Sequence, residues 1–136
     1  MSDDGTTGSE PVSVPAPGME ELAGKVRAAL EAADLDGYRD LLDPGVTWGA
    51  PDDPRPACTN RDQVLDWYRR GRARGVRARV TETAVGVDRI LVGLEVADGD
   101  PAGVRSQRWQ VLGVRSGRIV DIRGFEDRET ALARMA

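Results

Sequence analysis

The sequence predicts an α+β domain in which helices pack on a curved antiparallel sheet. In the first half of the chain, apolar residues recur mostly at three- and four-residue spacing, which is typical of amphipathic helices. From residue 76 onward the period becomes that of strands, and Gly and Asp turn signals separate the extended runs. A chain of 136 residues has the length of one domain.

Residues 1–18 differ in composition from the rest of the chain. They are rich in Gly, Ser, Thr, Pro and Asp and contain almost nothing apolar. Ordering them would cost backbone entropy without burying surface, so we expect a disordered leader. The predicted domain therefore spans residues 19–136.

Two helices are predicted before any strand. Apolar residues recur at helical spacing over residues 19–33, behind an acidic first turn. Asp36 can cap a second, short helix that runs through Leu42, because Pro44 and Gly45 terminate it. A helix pair thus leads into the first strand.

A proline-rich loop separates this strand from a third helix. The strand is the short extended run at 46–48, and the prolines and aspartates that follow it cannot maintain a regular ladder. A loop of this length is often functional. Thr59 or Asn60 can cap the third helix, and Gly71 and Gly75 end it.

Four extended runs make up the predicted sheet; they are residues 76–87, 90–96, 104–115 and 118–126. Short turns join them, among them a tight hairpin at Ser116 and Gly117. Strands joined by short turns pair antiparallel, because a parallel pair needs a long crossover. The sheet is therefore a meander. Asp127 can cap a final short helix that reaches Met135.

Composition excludes several classes of function. The net charge of -4 is spread along the chain, whereas a nucleic-acid site needs a concentrated basic patch. The densest basic run, from Arg69 to Arg79, falls at a predicted helix end, and we interpret it as a solvated face. Histidine is absent and Cys58 is the single cysteine, which argues against a metal site, a catalytic triad and a disulfide. We expect neither a metal nor a cofactor.

The sequence also predicts a cytoplasmic location. No run approaches the ~20 apolar residues of a membrane span, and the N-terminus is acidic where a signal peptide is basic. We therefore expect no contact with a membrane.

Four stretches carry a resemblance to a known superfamily. They read LLDPGVTW at 41–48, CTNRDQV at 58–64, RWQVL at 108–112 and GRIVDIRGFED at 117–127. In order and spacing they are similar to the SnoaL-like members of the nuclear transport factor 2-like superfamily. The resemblance implies a cone, in which a strongly bent sheet is roofed by the first and third helices and its concave face holds a pocket. It also implies a homodimer through the outer sheet face.

The acids that catalytic members of this superfamily use have no counterpart here. A steroid isomerase-like base would fall at about Gly49, with Asp52 and Asp53 further along the loop. The acid of cyclase-like and limonene epoxide hydrolase-like members aligns with Gly124. Glycine cannot exchange a proton, so the resemblance supports neither mechanism.

Glu126 is then the best remaining acid. Strand alternation from Gly124 places Val120, Ile122 and Glu126 on the pocket face. The residues predicted to point the other way are Ile119, Asp121, Arg123 and Phe125. Glu126 is either a general base with a pKa raised by apolar surroundings or a strand-end carboxylate paired with an arginine. We favour the second interpretation.

The remaining candidates are mostly aromatic. Tyr38 or Tyr68 could donate a hydrogen bond to a developing oxyanion. The residues predicted to line the pocket are Trp48, Val64, Trp67, Tyr68, Trp109, Val120, Ile122 and Gly124. Large rings equally well fill a core, so each aromatic has a structural alternative.

Three hypotheses of function follow. The leading one is a pocket that binds a small hydrophobic organic molecule without an identifiable catalytic constellation. The second is a cofactor-independent isomerase, cyclase or dehydratase that uses Glu126 or a loop aspartate as base, with Tyr38 as hydrogen-bond donor. The third is a dimeric interaction module whose contact includes Ile119, Phe125 and Trp109.

Overall fold

Helices lead the fold and strands follow them. The computed structural model describes residues 18–52, 54–97 and 105–135. The elements are α1 (Met19–Ala32), α2 (Leu35–Arg39), β1 (Leu42–Gly49), α3 (Arg61–Ala73), β2 (Arg77–Val85), β3 (Arg89–Ala97), β4 (Arg105–Arg115), β5 (Arg118–Phe125) and α4 (Arg128–Ala133). The predicted α+β class is confirmed. Of the predicted leader, residues 1–17 lie outside the described residues.

In the described part of the chain, five strands form one mixed sheet in the order β1-β5-β4-β3-β2. The strands β2 to β5 pair antiparallel with their neighbours along the chain, as a meander does. At one edge, β1 pairs parallel with β5. This pair is possible because α3 and three strands lie between its members and supply the long crossover.

The second helix begins and ends earlier than predicted. Asp34, not Asp36, caps it, and the Asp34 carboxylate accepts a hydrogen bond from the N–H of Gly37 at 3.0 Å. The helix ends at Arg39. Leu42 begins β1, because pairing with β5 at the sheet edge replaces the last helical turn that its apolar character suggested.

The other predicted caps are confirmed. The N–H of Gln63 donates to Asn60 Oδ1 at 2.9 Å at the start of α3. The N–H of Thr130 donates to Asp127 Oδ2 at 2.9 Å at the start of α4. Helix α3 continues through Gly71, which was predicted to end it, and ends at Ala73, shortly before the second predicted terminator Gly75, whose φ is 90°.

The β4–β5 hairpin contains a confirmed turn and an unpredicted bulge. Ser116 and Gly117 both have left-handed φ, 54° and 78°, as a type I′ turn requires. Beyond the turn, the register shifts and leaves Val120 as an extra residue in β5. Ile119 therefore packs in the same core as Ile122. Its predicted outward position is wrong, because simple alternation fails at a bulge.

Hydrophobic residues collect on both faces of the sheet. The inner face, covered by α1 and α3, carries the main core. The outer face carries a smaller cluster against α4, made of Leu91, Val111, Phe125 and Ala131. Two residues of the hypothetical dimer contact, Ile119 and Phe125, are thus buried inside the protomer.

The inner face is solid near the β4–β5 hairpin, and we call this region the closed end. Its fully buried side chains are Val26, Leu42, Val46, Ile90, Leu112, Ile119 and Ile122. Towards the opposite ends of the strands the helices and the sheet leave a space between them. We call that region the open end.

Candidate functional site

The open end encloses a cavity of about 1070 Å³. Its wall comes from α2, the C-terminal halves of α1 and α3, the start of β2, parts of the other four strands, and the segments that follow β1 and β5. Most of the large side chains in the wall are apolar; they include Leu30, Leu35, Trp48, Tyr68, Leu94 and Val96. Such a lining suits a small organic molecule.

Small residues occupy several positions in the wall of the cavity. Ala29 and Ala33 face it from α1, Gly71 from α3, and Ala78 and Gly124 from the sheet. A Cβ added at Gly124 would have no heavy atom within 4 Å. A large side chain at any of these positions would reduce the space between the layers.

Four aromatic rings form a continuous ladder along one wall. Tyr38 packs edge-on against Tyr68 with ring centroids 5.5 Å apart. Tyr68 stacks on Trp48 at 5.1 Å, and Trp48 meets Trp67 edge-on at 6.0 Å. The ladder runs from Tyr38, which is fully buried, to Trp67, which is 50% exposed. Its partly exposed members, Trp48, Trp67 and Tyr68, offer aromatic contact to a flat ligand.

Three polar groups on the inner wall are buried without a hydrogen-bond partner among the described residues. They are the hydroxyls of Tyr38 and Tyr68 and the side-chain oxygen of Gln110. Each such group costs about 1–3 kcal/mol when it is left unpaired. All three residues border the cavity, but these atoms are buried, so a molecule inside it would pair with them only after the side chains shift towards it.

Both tyrosines are held in the neutral form. Burial raises the pKa of Tyr38 well above its ordinary value, and the neighbouring Tyr68 raises it further. Burial also raises the pKa of Tyr68, although its contacts with Gln110 and Tyr38, which fall short of hydrogen-bond geometry, act in the opposite direction. A neutral hydroxyl can both donate and accept, so this wall can bind a carbonyl or a hydroxyl group.

Charged residues surround the cavity where it opens to solvent. Glu126 lies there with its side chain 87% exposed, and its carboxylate is 3.6 Å from the guanidinium of Arg108. Arg72, Arg74 and Arg77 contribute to the wall on the side of α3 and β2. Glu126 therefore lies in a solvated ion pair at the edge of the site.

The structure brings most of the predicted site residues to this cavity. Those in its wall are Tyr38, Trp48, Trp67, Tyr68, Gly124 and Glu126, whereas Trp109 borders the cavity with its ring on the outer face. Val64 and Ile122 belong instead to the buried core, and Val120 is the bulge residue outside the wall. The ring of Trp109 lies over Gly93, packed against the outer-face cluster.

The sequence prediction did not include Gln110 or the three arginines. Gln110 is two residues before the core residue Leu112 on the same strand, so the alternation of β4 could have identified it. The arginines were interpreted as a solvated face, because their charge alone does not reveal a neighbouring cavity.

The described residues show no arrangement for a metal ion. No group of three or more His, Cys, Asp and Glu side chains among them could hold one. Cys58 is buried and burial raises the pKa of its thiol, which keeps it protonated. In the same described ranges, no helix is long and apolar enough to cross a membrane.

Sequence comparison gives one clear match. The family model of the SnoaL-like domain matches residues 24–122. No curated protein sequence matches the chain.

Solved structures share the fold at low sequence identity. A proposed polyketide cyclase from Sinorhizobium meliloti is 19% identical, with a TM-score of 0.62 over 77% of this chain and 94% of that one. A proposed SnoaL-like polyketide cyclase from Jannaschia sp. CCS1 is 13% identical, with a TM-score of 0.66 over 91% and 97%. A nuclear transport factor 2-like protein of unknown function from Cytophaga hutchinsonii is 10% identical, with a TM-score of 0.63 over 84% and 94%. These similarities show the cone-shaped fold alone.

Proposed function

This chain belongs to the SnoaL-like domain family, and we propose that its cavity binds a small, mostly hydrophobic organic molecule. The observation that carries the proposal is an apolar cavity of about 1070 Å³ whose inner wall holds unpaired polar groups. Ligand pockets in proteins commonly have this size and this mixture of apolar wall and few polar groups.

The polar groups specify part of the ligand. Tyr38, Tyr68 and Gln110 together offer donors and acceptors but no charge. A neutral carbonyl or hydroxyl on the ligand would satisfy them, while its apolar body contacts Trp48 and Leu94. The unpaired hydroxyls thus favour a ligand with one polar end directed inward.

Binding without catalysis fits the acids of the cavity better than an acid–base mechanism does. General acid–base catalysis needs a titratable group within hydrogen-bonding reach of the reacting atom. Glu126 is mostly exposed and paired with Arg108, and Gly124 supplies no acid. An open cavity also argues against a domain whose interior is filled by its own side chains.

Filling the cavity tests the proposal. Phenylnaphthylamine, a neutral probe that fluoresces in apolar surroundings, would be titrated into the wild type and into Gly124→Leu. Because the space next to Gly124 is empty, we expect the substitution to leave the fold intact and weaken probe binding about tenfold or more.

The matched control is Gly24→Leu, which adds the same side chain at an exposed position of α1 outside the cavity wall. Circular dichroism verifies that both variants fold. Equal affinity of the wild type and a folded Gly124→Leu, or no binding by the wild type, would contradict the proposal.

The alternative function is a cofactor-independent isomerase, cyclase or dehydratase. The observation in its favour is the pair of buried, unpaired hydroxyls of Tyr38 and Tyr68, which could stabilise an oxyanion. Two structural relatives are proposed polyketide cyclases, so polyketide cyclisation is the first reaction to assay. If the wild type turns a substrate over, Glu126→Gln is expected to abolish turnover without changing the free energy of unfolding. Full activity of that variant would exclude Glu126 as the base.

For the oligomer, we propose a homodimer through the part of the outer sheet face that α4 leaves uncovered. Trp109 is the half-buried aromatic residue at the border of this area, where Arg128 of α4 lies over its ring and pairs with Glu82. Light scattering of the wild type and of Trp109→Glu tests it: a dimer that the substitution converts to a monomer supports the contact, and a monomeric wild type excludes it.

A further inference from the structure

We propose that the ligand of the cavity is an amphipathic anion, whose carboxylate, sulfonate or phosphate group binds Arg72, Arg74 and Arg77. This inference rests on the proposed binding function and adds the charge of the ligand to it. The three arginines, which we call the arginine rim, border the cavity on the side of α3 and β2. The apolar body of the ligand would lie deeper, along the aromatic ladder.

The arginine rim carries charge that no protein carboxylate neutralises within the described ranges. Several other arginines of these ranges lie in ion pairs, such as Arg70 with Asp66 at 3.4 Å and Arg79 with Glu95 at 3.4 Å. Exposed arginines outside the cavity wall also lack an ion pair in these ranges, so it is the position at the cavity that distinguishes the rim. Among the described residues, none of the three rim arginines has a carboxylate within ion-pair distance. Three like charges in one short stretch repel one another, and an anion would relieve that repulsion.

Part of the rim is already ordered. One nitrogen of the Arg77 guanidinium donates to the carbonyl oxygens of Val76, at 2.9 Å, and of Arg72, at 3.4 Å. These contacts hold Arg77 against the end of α3 and leave its other N–H groups available. A guanidinium fixed in this way loses less entropy when it binds an anion.

The carboxylates that also border the cavity are engaged elsewhere. Glu31 lies 3.5 Å from Arg27 on the same helix. Glu126 is paired with Arg108, and Asp127 accepts hydrogen bonds from the N–H and hydroxyl of Thr130. The acids of the wall therefore already have partners, whereas the arginine rim has none among the described carboxylates.

The end of α3 offers a competing explanation for the rim. Arginines near a helix C-terminus are favourable there because they balance the negative end of the dipole. That role requires no cavity and no ligand, and it predicts equal effects on charged and neutral ligands. A matched pair of probes separates the two explanations.

The experiment compares anilinonaphthalene sulfonate with phenylnaphthylamine, which has the same ring system without the sulfonate. Both are titrated into the wild type and into the triple variant R72Q/R74Q/R77Q. We expect the variant to weaken binding of the sulfonate about tenfold and to change binding of the neutral probe by less than about twofold. Added salt should weaken the binding of the sulfonate probe and leave the binding of the neutral probe unchanged.

The control is R69Q/R115Q/R118Q, which removes the same charge at exposed arginines outside the cavity wall. We expect it to leave both affinities within about twofold of the wild type. If the rim triple variant does not fold, Arg74→Gln and the salt titration of the wild type provide the same comparison.

The outcomes separate this inference from the function on which it rests. If the neutral probe binds and Gly124→Leu blocks it, while the rim variant affects both probes equally or neither, only the anionic ligand is disproved. An equal loss of affinity for the sulfonate probe in the control triple variant would also disprove the anionic ligand. If neither probe binds the wild type, the proposed function fails and this inference with it.

Discussion

The closed end and the open end of the inner face are built from the same two layers, yet only one of them is filled. At the closed end, branched side chains such as Ile90, Leu112 and Ile122 meet those of α1 and β1 and are fully buried. At the open end, Ala29, Ala33 and other small residues face a cavity of about 1070 Å³. Small side chains at the open end contribute to this difference.

This difference assigns separate roles to the two regions. Burial of large apolar side chains stabilises the fold, so most of the stabilisation should come from the closed end. The open end gives up part of that stabilisation and leaves polar atoms such as the Tyr38 hydroxyl unpaired. A local loss of stability of this kind is expected where a protein binds a ligand.

The largest expected effect compares one substitution at both ends. Leu112→Ala at the closed end should lower the free energy of unfolding by about 3 kcal/mol, because it creates a void in a filled core. Leu94→Ala should cost only about 1.5 kcal/mol, because Leu94 already borders the cavity and loses fewer contacts. Urea denaturation measures both.

Equal losses in the free energy of unfolding at the two positions would contradict the proposed difference between the closed end and the open end. They would mean that the cavity collapses in solution and that Leu94 is packed as tightly as Leu112. The neutral probe provides the control, because Leu112→Ala should leave its affinity unchanged as long as the variant is folded.

A smaller effect should appear when the pH is raised. Burial raises the pKa of both tyrosines above the ordinary value of about 10. Above that pH the unfolded chain loses phenol protons that the folded chain retains, so ionisation stabilises the unfolded state. The free energy of unfolding should therefore fall, by up to about 1.4 kcal/mol per tyrosine for each pH unit, until the folded state also titrates.

Ultraviolet absorbance of phenolate gives a direct readout, because Tyr38 and Tyr68 are the only tyrosines in the sequence. A native protein whose tyrosines titrate at the ordinary value would contradict the buried wall. Cys58 contributes in the same direction, since burial raises its pKa too. The variant Cys58→Ala removes the contribution of the thiol to the pH dependence of stability and leaves the phenolate absorbance unchanged.

The closed end was more predictable than the open end. Periodicity located the helices and the meander, because regular spacing of large apolar residues is what both elements need to bury a face. Leu42 was misassigned to a helix because its strand pairing with β5 depends on residues far along the chain. The bulge at Val120 could not be predicted from the alternation of side chains either, because alternation assumes that each residue of one strand faces one residue of the next.

The cavity was harder to predict, because missing side chains leave no periodic signal. Of the small residues in the wall, only Gly124 was predicted, through the resemblance to catalytic relatives that carry an acid there. The small residues of α1 read as ordinary helix formers. Gln110 read as an unremarkable strand residue, since its unpaired oxygen is a property of the packed structure.

The smallest expected effect concerns one atom of the open end. Tyr38→Phe removes a hydroxyl that is buried without a hydrogen-bond partner among the described residues. We expect the ligand-free variant to be as stable as the wild type or up to about 1 kcal/mol more stable, because an unpaired buried polar group is removed while the ring packing against Tyr68 remains.

The same substitution should weaken binding of a ligand that carries a carbonyl by about fivefold, since a neutral hydrogen bond contributes about 1 kcal/mol. Phenylnaphthylamine, which has no carbonyl, is the matched probe, and its affinity should not change. Urea denaturation and the two titrations together distinguish the possibilities. A stability loss of about 1 kcal/mol or more would mean that the hydroxyl is paired in the ligand-free protein. The closed and open ends would then differ in volume only, and the inner wall would no longer indicate which end of a ligand enters first.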